Sequence, residues 1–233
     1  MPTWFPLESN PELMSKYIAD LGASEGLRIE EVLSVEPWAL EMVPGPVHAV
    51  LFLYPLSEAQ RKHEQENPVP ALEATSDPTS GAPFFMKQTV GNACGTVALL
   101  HSLANIERVA GGAARTGTWL STFLSSTATL APDGIADYIA QGEASDALAA
   151  VHTAAALSED NATEASMDVE THFIAFVSAG GVLYELDGRK PGPTPHGECP
   201  PSELLPKAVE AIKGFIARDP NELRFTITAM VSA

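Results

Sequence analysis

His172-Phe173-Ile174-Ala175-Phe176-Val177-Ser178-Ala179-Gly180-Gly181-Val182-Leu183-Tyr184-Glu185-Leu186-Asp187 reads as two strands joined by a tight turn. Both arms are rich in β-branched and aromatic residues, and the glycine pair supplies the positive φ that a short hairpin turn requires. If Ala179 and Gly180 are the central turn residues, Ser178 pairs with Gly181 and His172 lies directly opposite Asp187. If the turn is centred one residue later, Asp187 lies diagonal to His172 on the same face. Either register sets an imidazole beside a carboxylate. A carboxylate bonded to one ring nitrogen fixes the tautomer and supports positive charge on the ring.

Outward from the hairpin, strands and helices alternate irregularly. Asn10-Pro11-Glu12 is a cap and first turn of a helix through about Leu21, with Leu13, Tyr17, Ile18 and Leu21 on one face. Ile29 to Val35 is ambiguous with a strand, and Trp38 to Met42 is a short helix. Val47 to Tyr54 is apolar on both faces and stopped by Pro55, the profile of a buried central strand. Helical turns follow around Ser57 to Glu66, then a loop, Pro68 to Pro83. Further helices are expected at Thr118 to Ser125 and Pro132 to Ile139, and then an Ala-rich acidic helix or loop. A helix from Ser202 to about Ala217 and a last strand, Phe225 to Val231, close the chain. Hairpin and helices together make the fold class α+β, in one domain over residues 1–233.

The second informative stretch is Gln88-Thr89-Val90-Gly91-Asn92-Ala93-Cys94-Gly95-Thr96. Asn92 is a candidate cap for a helix from Ala93 or Cys94 to about Arg108, so Cys94 sits where a helix begins. The thiolate is the nucleophilic form of cysteine, and a helix N-terminus stabilises negative charge. Taken singly, each residue has an ordinary reading: a buried apolar cysteine, a strand-end histidine, a turn aspartate, a loop amide. Taken together, Cys94, His172, Asp187 and Gln88 form a consistent thiol-hydrolase set. His101 falls on the apolar stripe of its helix and reads as a core histidine. His48 and His152 have no evident partner, and His196 reads as a support for the loop after Asp187. No Cys/His spacing suits a metal, so no metal or cofactor is expected.

Net charge is −17, and Asp133 to Glu170 holds nine acidic residues with no Lys or Arg. This excludes nucleic acid and an anionic membrane surface as partners, and suits a basic one. Two cysteines, no leader-like N-terminus and no long apolar run point to a cytosolic or nuclear protein with reduced thiols, and nothing signals more than a monomer.

Phe85-Met86-Lys87-Gln88-Thr89, Asn92-Ala93-Cys94-Gly95-Thr96, His172-Phe173-Ile174-Ala175 and Leu183-Tyr184-Glu185-Leu186-Asp187-Gly188-Arg189-Lys190-Pro191 resemble the short, single-domain ubiquitin C-terminal hydrolases, which are cysteine deubiquitinases. The similarity extends to Pro6-Leu7-Glu8-Ser9-Asn10-Pro11-Glu12 and to Arg218-Asp219-Pro220-Asn221-Glu222-Leu223-Arg224-Phe225. The resemblance implies an antiparallel sheet flanked by helices, a papain-like cysteine hydrolase with a knotted backbone. It implies Cys94 as nucleophile, His172 as base and then acid, Asp187 as its orienter and Gln88 as oxyanion donor. It implies ubiquitin, or a close ubiquitin-like protein, as partner, touched by Pro6, Leu7, Glu8 and Glu222. It places a crossover loop at about 142–166, which favours small adducts and peptides as leaving groups. Two other readings are a protein that holds free ubiquitin and an unrelated papain-like protease. The intact set of four disfavours the first, and the Leu183–Gly188 segment and acidic charge disfavour the second.

Overall fold

The structure, a computed structural model, describes residues 3–68, 72, 81–158 and 170–232. In chain order these form α1 (Pro11–Leu21), β1 (Leu27–Glu31), α2 (Pro37–Glu41), β2 (Val47–Pro55), α3 (Glu58–Glu66), α4 (Cys94–Val109), α5 (Trp119–Thr127), α6 (Pro132–Ala140), α7 (Gly142–Ala156), β3 (Thr171–Ala179), β4 (Val182–Leu186), β5 (Thr194–Glu198), α8 (Leu204–Arg218) and β6 (Thr226–Ser232). The six strands make one sheet in the order β1-β6-β2-β3-β4-β5, antiparallel at every pairing.

Helices α1, α3 and α5 start where a side chain satisfies free N–H groups of the first turn. Asn10 accepts from the Glu12 and Leu13 amides at 2.9 and 3.1 Å, Ser57 accepts from Gln60 at 3.3 Å, and Thr118 and Ser121 cap α5 reciprocally. The sheet is covered on both faces, which is why β2 carries no polar alternation. Ala49 and Leu51 of β2 and Phe173, Ala175 and Val177 of β3 pack in one cluster with α1 and α4. Val50, Phe52 and Tyr54, with Ile174 and Phe176, pack in the other with Leu205, Val209, Ile212 and Phe215 of α8. Successive side chains along a strand point to opposite faces, so the two clusters alternate residue by residue.

The hairpin adopts the second of the two registers. Ala179 pairs with Val182 and Ala175 with Leu186, and the turn residues Gly180 and Gly181 have φ of 56° and 79°. Two consecutive positive φ values match the twist of the flanking strands, and glycine reaches them without a Cβ penalty. Three expectations change. The first strand is Leu27–Glu31 instead of Ile29 to Val35. Thr194–Glu198 forms an edge strand that the sequence hid, because proline and glycine interrupt it. The first part of the expected crossover loop, 142–156, is helix α7; its Ala-rich composition favours that conformation. The loop's remainder, apart from Leu157 and Ser158, lies outside the described residues, as does most of the loop from Pro68 to Pro83.

Replacing Asn10 with Ala removes two cap hydrogen bonds and is expected to cost about 1 kcal/mol of stability. The readout is the urea midpoint at constant m-value; an unchanged midpoint would show that the cap contributes nothing.

Candidate active site

The site forms at the rim of the sheet where α4 begins against the start of β3. Ala93, not Asn92, precedes the first helical residue, and no side chain caps the helix. Asn92 is instead held at φ 58°, a left-handed conformation that asparagine tolerates better than most residues. The positive end of α4 therefore falls on Cys94 without competition from a cap carboxylate or hydroxyl. Gly95 lets this helix start approach closely: a Cβ there would lie 3.3 Å from the Leu7 side chain and 3.4 Å from the Phe173 ring.

His172 stands in β3 opposite Tyr54 of β2, whose ring meets the imidazole edge-to-face at 5.9 Å. Its Nε2–H donates to Asp187 Oδ1 at 2.7 Å, and both side chains are almost wholly buried. That bond leaves Nδ1 as the ring nitrogen available to the sulfur. Burial opposes charge on the ring, but the Asp187 carboxylate and the contact with Cys94 outweigh it and lift the imidazole to about 9. Burial likewise raises the Asp187 carboxyl, while the His172 charge and the Arg189 amide, which donates at 2.9 Å, bring it down to about 2. For Cys94, burial again works against the charged form. The hydrogen bond and charge of His172, with the Phe173 and Gly95 backbone, prevail and lower the thiol below its ordinary range. The three groups thus favour thiolate, imidazolium and carboxylate together.

The Asp187 loop is held through the buried Glu185 carboxylate. The Glu185 carboxylate, at the end of β4, accepts from Lys190 and from His196 Nε2, the latter at 2.9 Å. The Lys190 amide donates to Asp187 O at 2.9 Å. His196 supports this loop as the sequence suggested, while His101 is a core histidine, stacked on Phe85 at 5.3 Å and receiving the Met86 amide at 3.1 Å. His48 does have a partner, Ser232 Oγ, at 2.9 Å.

Gln88 is pinned beside the same loop. Its backbone N–H donates to Gly188 O at 2.8 Å, and a Cβ on Gly188 would come within 3.0 Å of both Gln88 and Val97. One side-chain N–H donates to Val90 O at 3.1 Å; the other makes no hydrogen bond among the described residues. Pro6, Leu7 and Glu8 line, with Cys94 and Phe173, a cleft of about 170 Å³. Glu222 is not brought to that cleft. Its carboxylate accepts from the Arg224 guanidinium at 2.7 Å and from the Arg224 amide at 2.8 Å, bonds that hold it down at about 2. The sequence reading overlooked Tyr54, Gly95 and Arg189 as neighbours of the reacting groups. Gly95 and Arg189 had a local signal, one residue after Cys94 and two residues after Asp187; Tyr54 had none. Among the described residues no cluster of His, Cys, Asp and Glu has the makings of a metal site, and no helix is long and apolar enough to cross a membrane.

A thiol lowered by an imidazolium keeps its reactivity below the range of an ordinary cysteine. Alkylation of Cys94 by iodoacetamide should therefore persist well below pH 8. Asp187→Asn removes the charge that supports the imidazolium, so the alkylation midpoint should move upward. A wild-type midpoint equal to that of a free thiol would refute the pairing.

Residues 4–217 match the family model described as ubiquitin carboxyl-terminal hydrolase, family 1. The chain is 41% identical over 228 residues to ubiquitin carboxyl-terminal hydrolase 3 of Arabidopsis thaliana, covering 97% of this chain and 93% of that one. It is 40% identical to a ubiquitin carboxyl-terminal hydrolase of Drosophila melanogaster, covering 100% and 99%. Among solved structures, the UCH37 catalytic domain of Trichinella spiralis, bound to ubiquitin vinyl methyl ester, superposes with a TM-score of 0.77 at 25% identity, covering 99% of this chain and 96% of that one.

Proposed function

The chain belongs to the ubiquitin carboxyl-terminal hydrolases, family 1, and from that premise we propose how its cleft works and what it releases. It is a cysteine-type ubiquitin C-terminal hydrolase. The Cys94 thiolate attacks the carbonyl of ubiquitin's terminal glycine. The oxyanion is met by the Cys94 backbone N–H and the uncommitted side-chain N–H of Gln88. His172 then passes its proton to the leaving amine, and the C–N bond breaks to give a thioester. Water, deprotonated by the now neutral His172, attacks the thioester, the C–S bond breaks, and ubiquitin and the Cys94 thiolate are released with His172 again protonated. Asp187 holds the ring through both transfers. The observation that carries this reading is the buried His172–Asp187 bond at 2.7 Å, in a pair that also lowers the Cys94 thiol.

The leaving groups are small adducts and peptides. In support, the cleft beside Cys94 is small, about 170 Å³, a space that suits a tail ending in two glycines better than one ending in larger side chains. The net charge of −17 would draw in the basic ubiquitin tail. Pro6, Leu7 and Glu8 contact that tail; Glu222 contacts ubiquitin only by sharing or leaving Arg224. The enzyme acts as a monomer in the cytoplasm or nucleus; its free cysteines support the reducing compartment. A protein that merely holds ubiquitin is the alternative. The activated Cys94–His172–Asp187 set disfavours it, since holding needs no thiolate.

Ubiquitin carrying a C-terminal electrophile should form one covalent adduct with the wild type and none with Cys94→Ala; absence of the wild-type adduct sinks the proposal. Gln88→Ala should lower kcat by about a hundredfold. In a salt series, kcat/KM should fall as ionic strength rises; an insensitive rate would remove electrostatic steering from the account.

A further inference from the structure

His152 of α7, which the sequence left without a partner, is buried at the centre of a hydrogen-bond chain joining four segments. Its Nε2 lies 2.7 Å from the Phe5 carbonyl oxygen, and its Nδ1 lies 2.9 Å from Thr96 Oγ1. Thr96 Oγ1 is in turn 2.9 Å from the Tyr17 hydroxyl of α1. The directions follow from the ends of the chain. A carbonyl only accepts, so Nε2 carries the hydrogen. The Nδ1 of a neutral ring only accepts, so Thr96 donates to it and accepts from Tyr17. Burial keeps the ring neutral, since it lowers the imidazole by more than the Phe5 carbonyl raises it. The Trp4 ring lies over the imidazole, centroid to centroid 4.5 Å.

Thr96 is two residues past Cys94, and Phe5 immediately precedes Pro6, Leu7 and Glu8 of the cleft wall. The same segment is tied one residue earlier by the Trp4 amide, which donates to Gly91 O at 2.9 Å. We propose that His152 is a positioning residue that clasps the Trp4–Glu8 wall to the nucleophile helix through Thr96, setting the distance between bound ubiquitin tail and Cys94 without touching either. This rests on the reading that the cleft receives ubiquitin. His152 lies far in sequence from both segments that it joins, so no local pattern announces the role.

Two probes separate wall position from thiol reactivity. Iodoacetamide needs only the thiolate; a ubiquitin C-terminal electrophile needs the wall as well. In His152→Phe, which keeps a ring against Trp4 but makes neither bond, the ubiquitin electrophile should react about tenfold more slowly, the order of one lost hydrogen bond. Alkylation by iodoacetamide should stay within about twofold. His152→Gln, whose amide reaches the Phe5 carbonyl, should recover most of the difference. Equal loss with both probes, or no loss with either, overturns the proposal. Nitrogen-15 shifts of the wild-type histidines provide a check that needs no variant: His152 should appear neutral with hydrogen on Nε2, and the opposite tautomer or a cation at neutral pH would also overturn it. A wild type that takes iodoacetamide but refuses the ubiquitin probe defeats the ubiquitin reading itself, and this proposal with it.

Discussion

The close approach of α4 to β3 governs everything at the site. A helix N-terminus stabilises an anion only within its first turn, and an imidazole stabilises a thiolate only in contact. Both conditions must be met at one sulfur. Gly95 meets them by offering no side chain where Leu7 and the Phe173 ring press against the helix. The start at Ala93 carries no capping side chain, so no carboxylate or hydroxyl competes with the sulfur for the positive end of the helix.

The sheet then divides the labour. α4 packs on one face through the odd-numbered residues of β3, Phe173, Ala175 and Val177. His172 shares its parity with Ile174 and Phe176, which face α8. Nucleophile and base thus come from opposite sides of the sheet and meet at its end. Each is anchored in a separate apolar cluster, so their meeting point is fixed by two cores and not by loop geometry. Only Gln88 and Asp187 sit on loops, and these are tied to one another through the Gln88 amide and Gly188.

What was legible in the sequence was what period and punctuation encode. Val47 to Tyr54 announced a central strand because every position but His48 is apolar, and Asn10 announced a helix because it precedes Pro11 and Glu12. The His172–Asp187 pairing was legible because a hairpin is local: a slip of one residue in the turn still kept both on one face. The cap of α4 was misassigned because Asn92 suits both an N-cap and a left-handed φ, and tertiary contacts chose the latter. β5 was invisible because its pairing with β4, not its composition, makes it a strand. The distance between Cys94 and His172, and the partners of His152, depend on contacts between segments far apart in sequence, and no window of residues contains them.

The buried His172–Asp187 pair also bears on how such a chain changes over time. Taking an imidazolium and a carboxylate out of water is costly, and apolar residues of similar volume in such places commonly fold as well or better. Nothing in the packing of Tyr54, Phe52 and Phe215 around the base requires charge there. A duplicated copy released from catalytic selection could therefore keep its fold if both residues were replaced together, whereas loss of one alone would leave its partner's charge buried and unpaired. It would keep the cleft wall of Pro6, Leu7 and Glu8 while losing the chemistry. Among paralogues of this fold, retention of the pair is accordingly a sharper mark of an active enzyme than retention of the surface around it.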